Sequence, residues 1–538
     1  MAAYLLIGSI IIFACVIFNK VSDKLGIPML LAFILLGMFF GSDGIVDIYF
    51  HNYDLTEKAC STALLFVMFY GGFGTNWREA RPIAKKAVFL SSLGTIITAT
   101  LVGLFCHYAL HFPLMEGLLI GSVLSSTDAA SVFSILKSRK LNLKHNTASL
   151  LELESGSNDP FAYMLTIIIL TLTKGEMTGG QIAYMVFAQL FFGALAGVAM
   201  ACFALVFLKR VNLPSAEIDT IFILSIAISA YAIPTMIGGN GYLSVYICGI
   251  ILGNKKLENK TQTVHFFDAL TGLAQMFLFF ILGLLSFPSQ FPKVFIPAVL
   301  IALFLTFIAR PVAVFLILAP FKSKIPQQLL VSWSGLRGVA SIVFAILAVI
   351  NHTEAGMDVF NIVFLIVLFS ILIQGSLLPF IAGKLNMTDS HVNVMKTFTD
   401  YTDEIPVQFI EFQMFKDHPW VGKSISEISL PPDSLLVLIL RGEKRIIPDG
   451  TTKIHDNDIL ILSGKVADKS YGIKLYEKTI DENDEWTGKP LSQIPDDQFI
   501  ITIRRGNETI IPNGYTVVLE GDSLIVADRP MQKSKPKS

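Results

Sequence analysis

The chain has 538 residues, of which 53% are hydrophobic and only 15% charged, with a mean hydropathy of +0.62. Soluble domains carry about a quarter charged residues, so a wholly soluble globular protein is excluded. A net charge of −1 gives no electrostatic footprint for nucleic acid. The apolar character is also unevenly spread. Residues 1–384 are apolar with short charged gaps, whereas residues 385–538 have the composition of an ordinary soluble domain.

A membrane span needs roughly 20 mostly apolar residues, fewer where the helix is bent or broken. Thirteen stretches qualify: 3–19, 27–41, 59–74, 87–110, 114–136, 148–173, 181–208, 217–236, 240–254, 262–286, 292–320, 326–350 and 358–383. The first lacks a basic leading segment and reads as a retained span. With the N-terminus outside, alternation puts eighteen Lys and Arg residues in inside loops and only Lys58, Lys174 and Lys293 outside. Cytoplasmic loops are the Lys/Arg-rich ones, so the count and the orientation support each other and the C-terminal part is cytoplasmic. The five cysteines lie in or beside apolar stretches, without CxxC or metal-ligand spacing.

Some charges remain inside spans: Asp128 in span 5, Glu152, Glu154 and Asp159 in span 6, Arg310 in span 11 and Arg337 in span 12. A charge at mid-membrane costs about 2.5–3.5 kcal/mol on insertion scales, and it usually faces a partner or a watery cavity. Asp128 and Asp159 lie midway along neighbouring antiparallel spans and can reach the same depth. Span 5 carries Ser125-Ser126-Thr127-Asp128, a poor helix stretch in which hydroxyls can replace backbone hydrogen bonds. In span 6, Gly156 and Pro160 bracket Asp159 and are expected to weaken the helix. Freed oxygens suit a hard alkali cation. Span 12 carries Ser334-Gly335-Leu336-Arg337-Gly338, again loosened by glycine. Spans 5 and 12 stand seven apart. Weakened helices in matching positions of two halves point to inverted repeats with a midplane site. Glu154 and Arg337 read as a buried ion pair joining spans 6 and 12, and Arg310, beside Pro311, as a similar structural residue.

The polar linker is placed at 385–405. Beyond it the sequence repeats. Arg441-Gly442 matches Arg505-Gly506, Ile446–Gly450 matches Ile510–Gly514, and Asp458 matches Asp522, all 64 residues apart. This defines lobes at 406–468 and 469–538. Each has a short helix-like stretch (Ser424–Ile428; Leu491–Ile494) and apolar strands (Leu435–Leu440 and Ile459–Leu462; Phe499–Ile503 and Ser523–Val526) around Pro-Asp-Gly or Pro-Asn-Gly turns. The fold class is therefore an α-helical polytopic membrane domain followed by a cytoplasmic α/β module of two lobes.

The segments Gly121–Phe133, Leu153–Pro160, Ala309-Arg310-Pro311 and Trp333–Val339 resemble the cation:proton antiporters, in particular the bacterial NhaP-type potassium or sodium/proton antiporters. The resemblance covers about residues 1–385. It implies thirteen spans, a dimer in a bacterial cell membrane, one dimer-forming and one moving bundle, and broken spans 5 and 12 crossing at the midplane. Carried onto this chain, Asp159 binds cation and proton in turn. Asp128, Ser155 and the Thr127 carbonyl complete the cation shell. Asn158 steadies the crossing near Thr127, and Glu154 with Arg337 is the structural ion pair. Asn158 stands where electrogenic relatives have a second aspartate, which implies electroneutral exchange. Many members have proline after the span-5 aspartate, where this chain has Ala129. The repeated lobes resemble the TrkA-C domains of potassium systems, which bind small ligands, nucleotides among them in some members. This favours K+ over Na+; a lobe that only assembles is the alternative. The resemblance implies no cofactor beyond the transported ions. A cation channel lacks a TVGYG-like filter here. An intramembrane aspartyl protease, built on a dyad of the two aspartates, is the enzyme alternative.

Overall fold

In the computed structural model the chain divides into two units, Met1–Thr402 and Asp403–Ser538. The structure describes residues 29–389 and 407–528 apart from short gaps, together with a few positions between 8 and 17. The expected span 3–19 lies largely outside the described residues, as does most of the linker.

Each expected span from the second to the thirteenth falls on helix. Six helices among the described residues are long and apolar enough to cross a membrane: Ala84–Leu110, Gly179–Arg210, Glu217–Met236, Lys260–Leu284, Pro288–Leu318 and Gly356–Lys384. Span 5 is instead two short helices, Leu114–Leu124 and Ala129–Ser138, and span 12 is Ile325–Trp333 followed by Val339–Ile350. The breaks fall on the hydroxyl-rich and glycine-rich stretches. Span 5 opens with Ala129 after Asp128, and the Ser125 and Ser126 carbonyls find a partner outside the helix.

Span 6 corrects an expectation. It runs unbroken over Thr147–Thr173 with Pro160 inside it. Proline removes one helical donor, the one that would serve the Gly156 carbonyl; the helix continues, and the Asn240 side-chain amide of a neighbouring span braces it by donating to the Pro160 carbonyl at 2.9 Å. A proline is tolerated in a membrane helix when neighbours satisfy the backbone groups around it.

Spans 2, 3, 7, 8, 9 and 10 pack mainly on one another, and spans 4, 5, 6, 11, 12 and 13 form a second bundle. Small residues let the helices approach closely. Gly121, for example, sits against Ala99 so tightly that an added Cβ would overlap its backbone. Spans 4 and 11, seven apart, each contain one π-helical turn, Leu90–Gly94 and Leu305–Ala309. That match extends the internal symmetry beyond the two broken spans. Where span 13 ends, Thr388–Asp389 pairs antiparallel with Asn142–Leu143 in the loop between spans 5 and 6.

In the second unit each lobe is a four-stranded antiparallel sheet. The first has the order Val407–Gln413, Ile459–Lys465, Ser434–Arg441, Lys444–Ile446; the second has Leu475–Thr479, Ser523–Asp528, Gln498–Arg505, Glu508–Ile510. The helix-like stretches are single 3-10 turns, Ile425–Glu427 and Leu491–Gln493. The repeat extends into the cores: Leu436, Ile439, Ile454 and Leu460 in one lobe correspond to Ile500, Ile503, Val518 and Leu524 in the other. It also reproduces a polar lock. Arg441 bonds Asp458 at 2.8 Å and the Lys453 carbonyl at 2.8 Å, while Arg505 bonds Asp522 at 2.8 Å and the Val517 carbonyl at 2.8 Å. Each aspartate is fully buried and also accepts a backbone N–H, from His455 or Leu519.

The Arg505 hydrogen bond, against the opposing effect of burial and with help from the Leu519 N–H, holds the Asp522 carboxyl below its ordinary range. A carboxyl depressed in the folded state stabilises it above the unfolded value near pH 3.9, and that stabilisation is lost as pH falls through the lower folded value. Charge-assisted bonds contribute about 1.5–3 kcal/mol. Asp522→Asn should therefore speed hydrogen exchange of the second lobe's strands in the full chain by roughly tenfold or more at neutral pH. Exchange as slow as in the parent chain would show that the lock stabilises nothing.

Candidate functional site at the helix crossing

The broken segments of spans 5 and 12 meet through their main chains. The Asp128 N–H donates to the Leu336 carbonyl at 2.8 Å. Arg337 reaches across from span 12, and its Nη1 donates to the Ser125 carbonyl at 3.0 Å and to the Ser126 carbonyl at 2.6 Å. Its own N–H is held by the Ser370 hydroxyl at 3.0 Å. Unpaired backbone groups cost several kcal/mol in hydrocarbon, and these contacts pair those that the interrupted helix leaves open.

Span 6 supplies the other side. Asn158 is fully buried; its amide nitrogen donates to the Thr127 hydroxyl at 2.5 Å and its oxygen accepts the Thr127 N–H at 3.3 Å. The Ser155 hydroxyl donates to the Thr127 carbonyl at 2.6 Å. Asp159, one residue beyond Asn158, is buried and accepts a hydrogen bond from the Ser126 hydroxyl. Asp128 is half-buried at the start of the second half of span 5, where the Ser131 N–H and hydroxyl both donate to it. Asp159 is tied to the same stretch of span 5 through the Ser126 hydroxyl, two residues before Asp128. Asp159, Asp128, Ser155 and Thr127 are thus gathered at one place, an oxygen-rich cluster of the kind a dehydrated alkali cation requires.

The ion pair differs from expectation. Glu154 pairs with Arg310, with Nη1–Oε1 and Nη2–Oε2 both at 2.8 Å, and not with Arg337. All three side chains are buried. Arg310 Nη2 donates to Oε2 while Nη1 faces Oε1 in ion-pair contact, whereas the guanidinium of Arg337 is turned to the span-5 carbonyls. Glu152 is buried nearer the N-terminal end of span 6 and accepts from the Thr75 hydroxyl at 3.4 Å. His107 is bonded to the Phe112 carbonyl at 2.8 Å, away from the crossing.

Sequence reasoning placed Ser126 and Gly338 only in the stretches that loosen spans 5 and 12, and gave Ser126, Ser131 and Gly338 no role at the carboxylates. The two serines were visible as hydroxyls flanking Asp128, but only the structure shows which carboxylate each serves. Gly338 is held against Asp128. A Cβ there would lie 2.5 Å from the Asp128 Cβ and 2.6 Å from its Cγ.

Two helical bundles, with interrupted spans crossing beside paired buried carboxylates, define a secondary transporter of small cations. The chain belongs to the transmembrane sodium/hydrogen exchanger family, whose family model matches residues 9–384. The TrkA-C domain model matches residues 409–469 and 475–528, once per lobe. The chain is 32% identical over 468 residues to the K(+)/H(+) antiporter NhaP of Alkalimonas amylolytica, covering 86% of this chain and 81% of that one. It is 28% identical over 532 residues to the K(+)/H(+) antiporter NhaP2 of Shewanella oneidensis, covering 98% and 91%. Its fold is like that of the sodium proton antiporter MjNhaP1 from Methanocaldococcus jannaschii, with a TM-score of 0.62 and 24% identity over 72% of this chain and 99% of that chain.

Gly338→Ala should displace Asp128 and lower exchange in proteoliposomes by roughly tenfold or more, the effect of about 1.4 kcal/mol, while the protein still elutes as a folded species in detergent. Parent-like exchange would mean that the Asp128 position is not critical.

Proposed function

We propose that the chain exchanges K+, in preference to Na+, for H+ across a bacterial cell membrane, one for one, with Asp159 as the group shared by cation and proton. The observation that carries this reading is the isolation of Asp159. It is buried, and among the described residues it forms no ion pair with a Lys or Arg, because Arg310 is committed to Glu154 and Arg337 to main-chain carbonyls. A buried carboxylate is costly as a bare charge. A proton or a metal ion neutralises it, and the two compete for the same oxygens. In this reading Asp128, Ser155 and the Thr127 carbonyl lend further oxygens to the cation, and the Ser126 hydroxyl orients the Asp159 carboxylate.

Movement of spans 4–6 and 11–13 against the other bundle exposes the site to either side. With Asp159 neutralised by either ligand the motion is easier than with it bare, and this couples the two fluxes. Asn158 adds no second charge, which supports electroneutral exchange. The preference for K+ rests on the two relatives described as K(+)/H(+) antiporters and on the paired TrkA-C domains. In the same reading the tail carries a regulatory site for a small nucleotide, the protein works as a homodimer, the N-terminus is outside and the C-terminus is cytoplasmic.

Purified protein in proteoliposomes under an imposed pH step should move K+ at rates unchanged when the membrane potential is clamped. Asp159→Ala should abolish exchange and Asp128→Ala should nearly do so, while Ser126→Ala should raise the half-saturating cation concentration severalfold. Normal exchange by Asp159→Ala would refute the shared-carboxylate mechanism; a rate that follows the clamped potential would refute electroneutrality.

A further inference from the structure

A cavity of about 90 Å³ lies among spans 11, 12 and 13, and neither aspartate lines it. Its walls come from the π-helical turn Leu305–Ala309 of span 11, the break in span 12 and the π-helical turn Ser370–Gly375 of span 13. Such turns are rare and recur at functional sites. Arg310 and Arg337 both line it, and they are only 3% and 1% exposed. Three of their nitrogens, Arg310 Nε and Arg337 Nε and Nη2, are buried without a hydrogen-bond partner among the described residues. Thr306, Ser370 and Gln374 add polar atoms to the wall.

The hydrogen-bond donors here are not all met by the described residues. The Glu154 carboxylate is engaged by both ends of the Arg310 fork. The side-chain hydrogen bonds of Arg337 go to neutral carbonyls, with the Glu154 charge acting on it only through space, and arginine is not deprotonated in proteins. A buried guanidinium with two unpaired donor nitrogens is costly. Water would satisfy the donors but leave the charge. An anion would satisfy both.

We propose that this cavity binds a small monovalent inorganic anion of halide size, chloride being the ordinary occupant. The cavity is open on one side, past the exposed Phe307 and Ile373, and its space admits a halide with accompanying waters. The anion is held by Arg337 Nε and Nη2 and Arg310 Nε. Arg337 Nη1 grips the span-5 carbonyls, so the bound anion fixes the guanidinium plane and acts as a structural counter-ion of the crossing.

Trp333 lines the same cavity, with its indole N–H on the Gln374 carbonyl at 3.1 Å, and serves as a reporter. Bromide added to the full chain in detergent should quench a saturable part of the tryptophan fluorescence. That part should be absent in Trp333→Phe and competed by chloride but not by gluconate. The melting temperature should rise over the same chloride range. Arg337→Gln should weaken the bromide midpoint roughly tenfold. If that variant does not fold, Thr306→Val on the opposite wall keeps the test open, with an expected severalfold weakening. Quenching that grows only linearly with bromide, equal melting temperatures in chloride and gluconate, or an unchanged midpoint in the variants would overturn the proposal in favour of water.

Discussion

The requirement that every main-chain polar group find a partner in hydrocarbon governs this membrane domain. Two spans are interrupted at mid-depth, and each interruption leaves carbonyls and N–H groups without their helical partners. The structure answers with one crossing. Leu336 O takes the Asp128 N–H, Arg337 takes the Ser125 and Ser126 carbonyls, and span 6 closes around Thr127 with Asn158 and Ser155. The contacts that keep the broken backbone satisfied are also those that set the aspartates beside one another. Structure and ion site are therefore one network, and few residues in it serve only one of the two purposes.

The disposition of buried charge follows from the same geometry. Arg310 sits just after the π-helical turn of span 11, which rotates it toward span 6 and onto Glu154. The Glu154 charge is thereby neutralised, and the Arg337 guanidinium acts on main chain. Asp159 is left as a carboxylate whose protein partner is a hydroxyl. A permanent ion pair there would hold the carboxylate closed to exchange. A hydroxyl can turn and share it.

Much of the architecture was legible in the sequence because hydrocarbon leaves strong marks on it. Span positions, the hydroxyl and glycine runs that interrupt spans 5 and 12, and the rare in-span charges all follow from the energetics of burying polar groups. Lateral neighbours were not legible. Glu154 and Arg310 are 156 positions apart, and hydropathy carries no information on which of two arginines faces a given carboxylate. The expected weakening of span 6 at Pro160 reflected propensity alone, and the packed helix runs through it with Asn240 bonded alongside. In the tail, the 64-residue repeat marked Arg441, Asp458 and their counterparts before any contact was known. The short strands Lys444–Ile446 and Glu508–Ile510 lacked enough apolar alternation to be seen, and the turns at Ile425–Glu427 and Leu491–Gln493 are too brief to differ from helix in sequence.

The small strand pair at the end of span 13 has a mechanical consequence. Thr388–Asp389 is stitched to Asn142–Leu143, and Lys144 adds two bonds, from its N–H to the Met387 carbonyl at 2.8 Å and from its ammonium to the Asn386 carbonyl at 3.0 Å. The chain thus leaves the membrane domain through a clasp on the short loop that joins span 5 to span 6. Tension along the outgoing chain reaches that loop before it reaches span 13. The loop is the lever arm between the two helices that carry Asp128 and Asp159, so a pull along that chain is delivered to the pair of helices whose spacing sets the separation of those carboxylates.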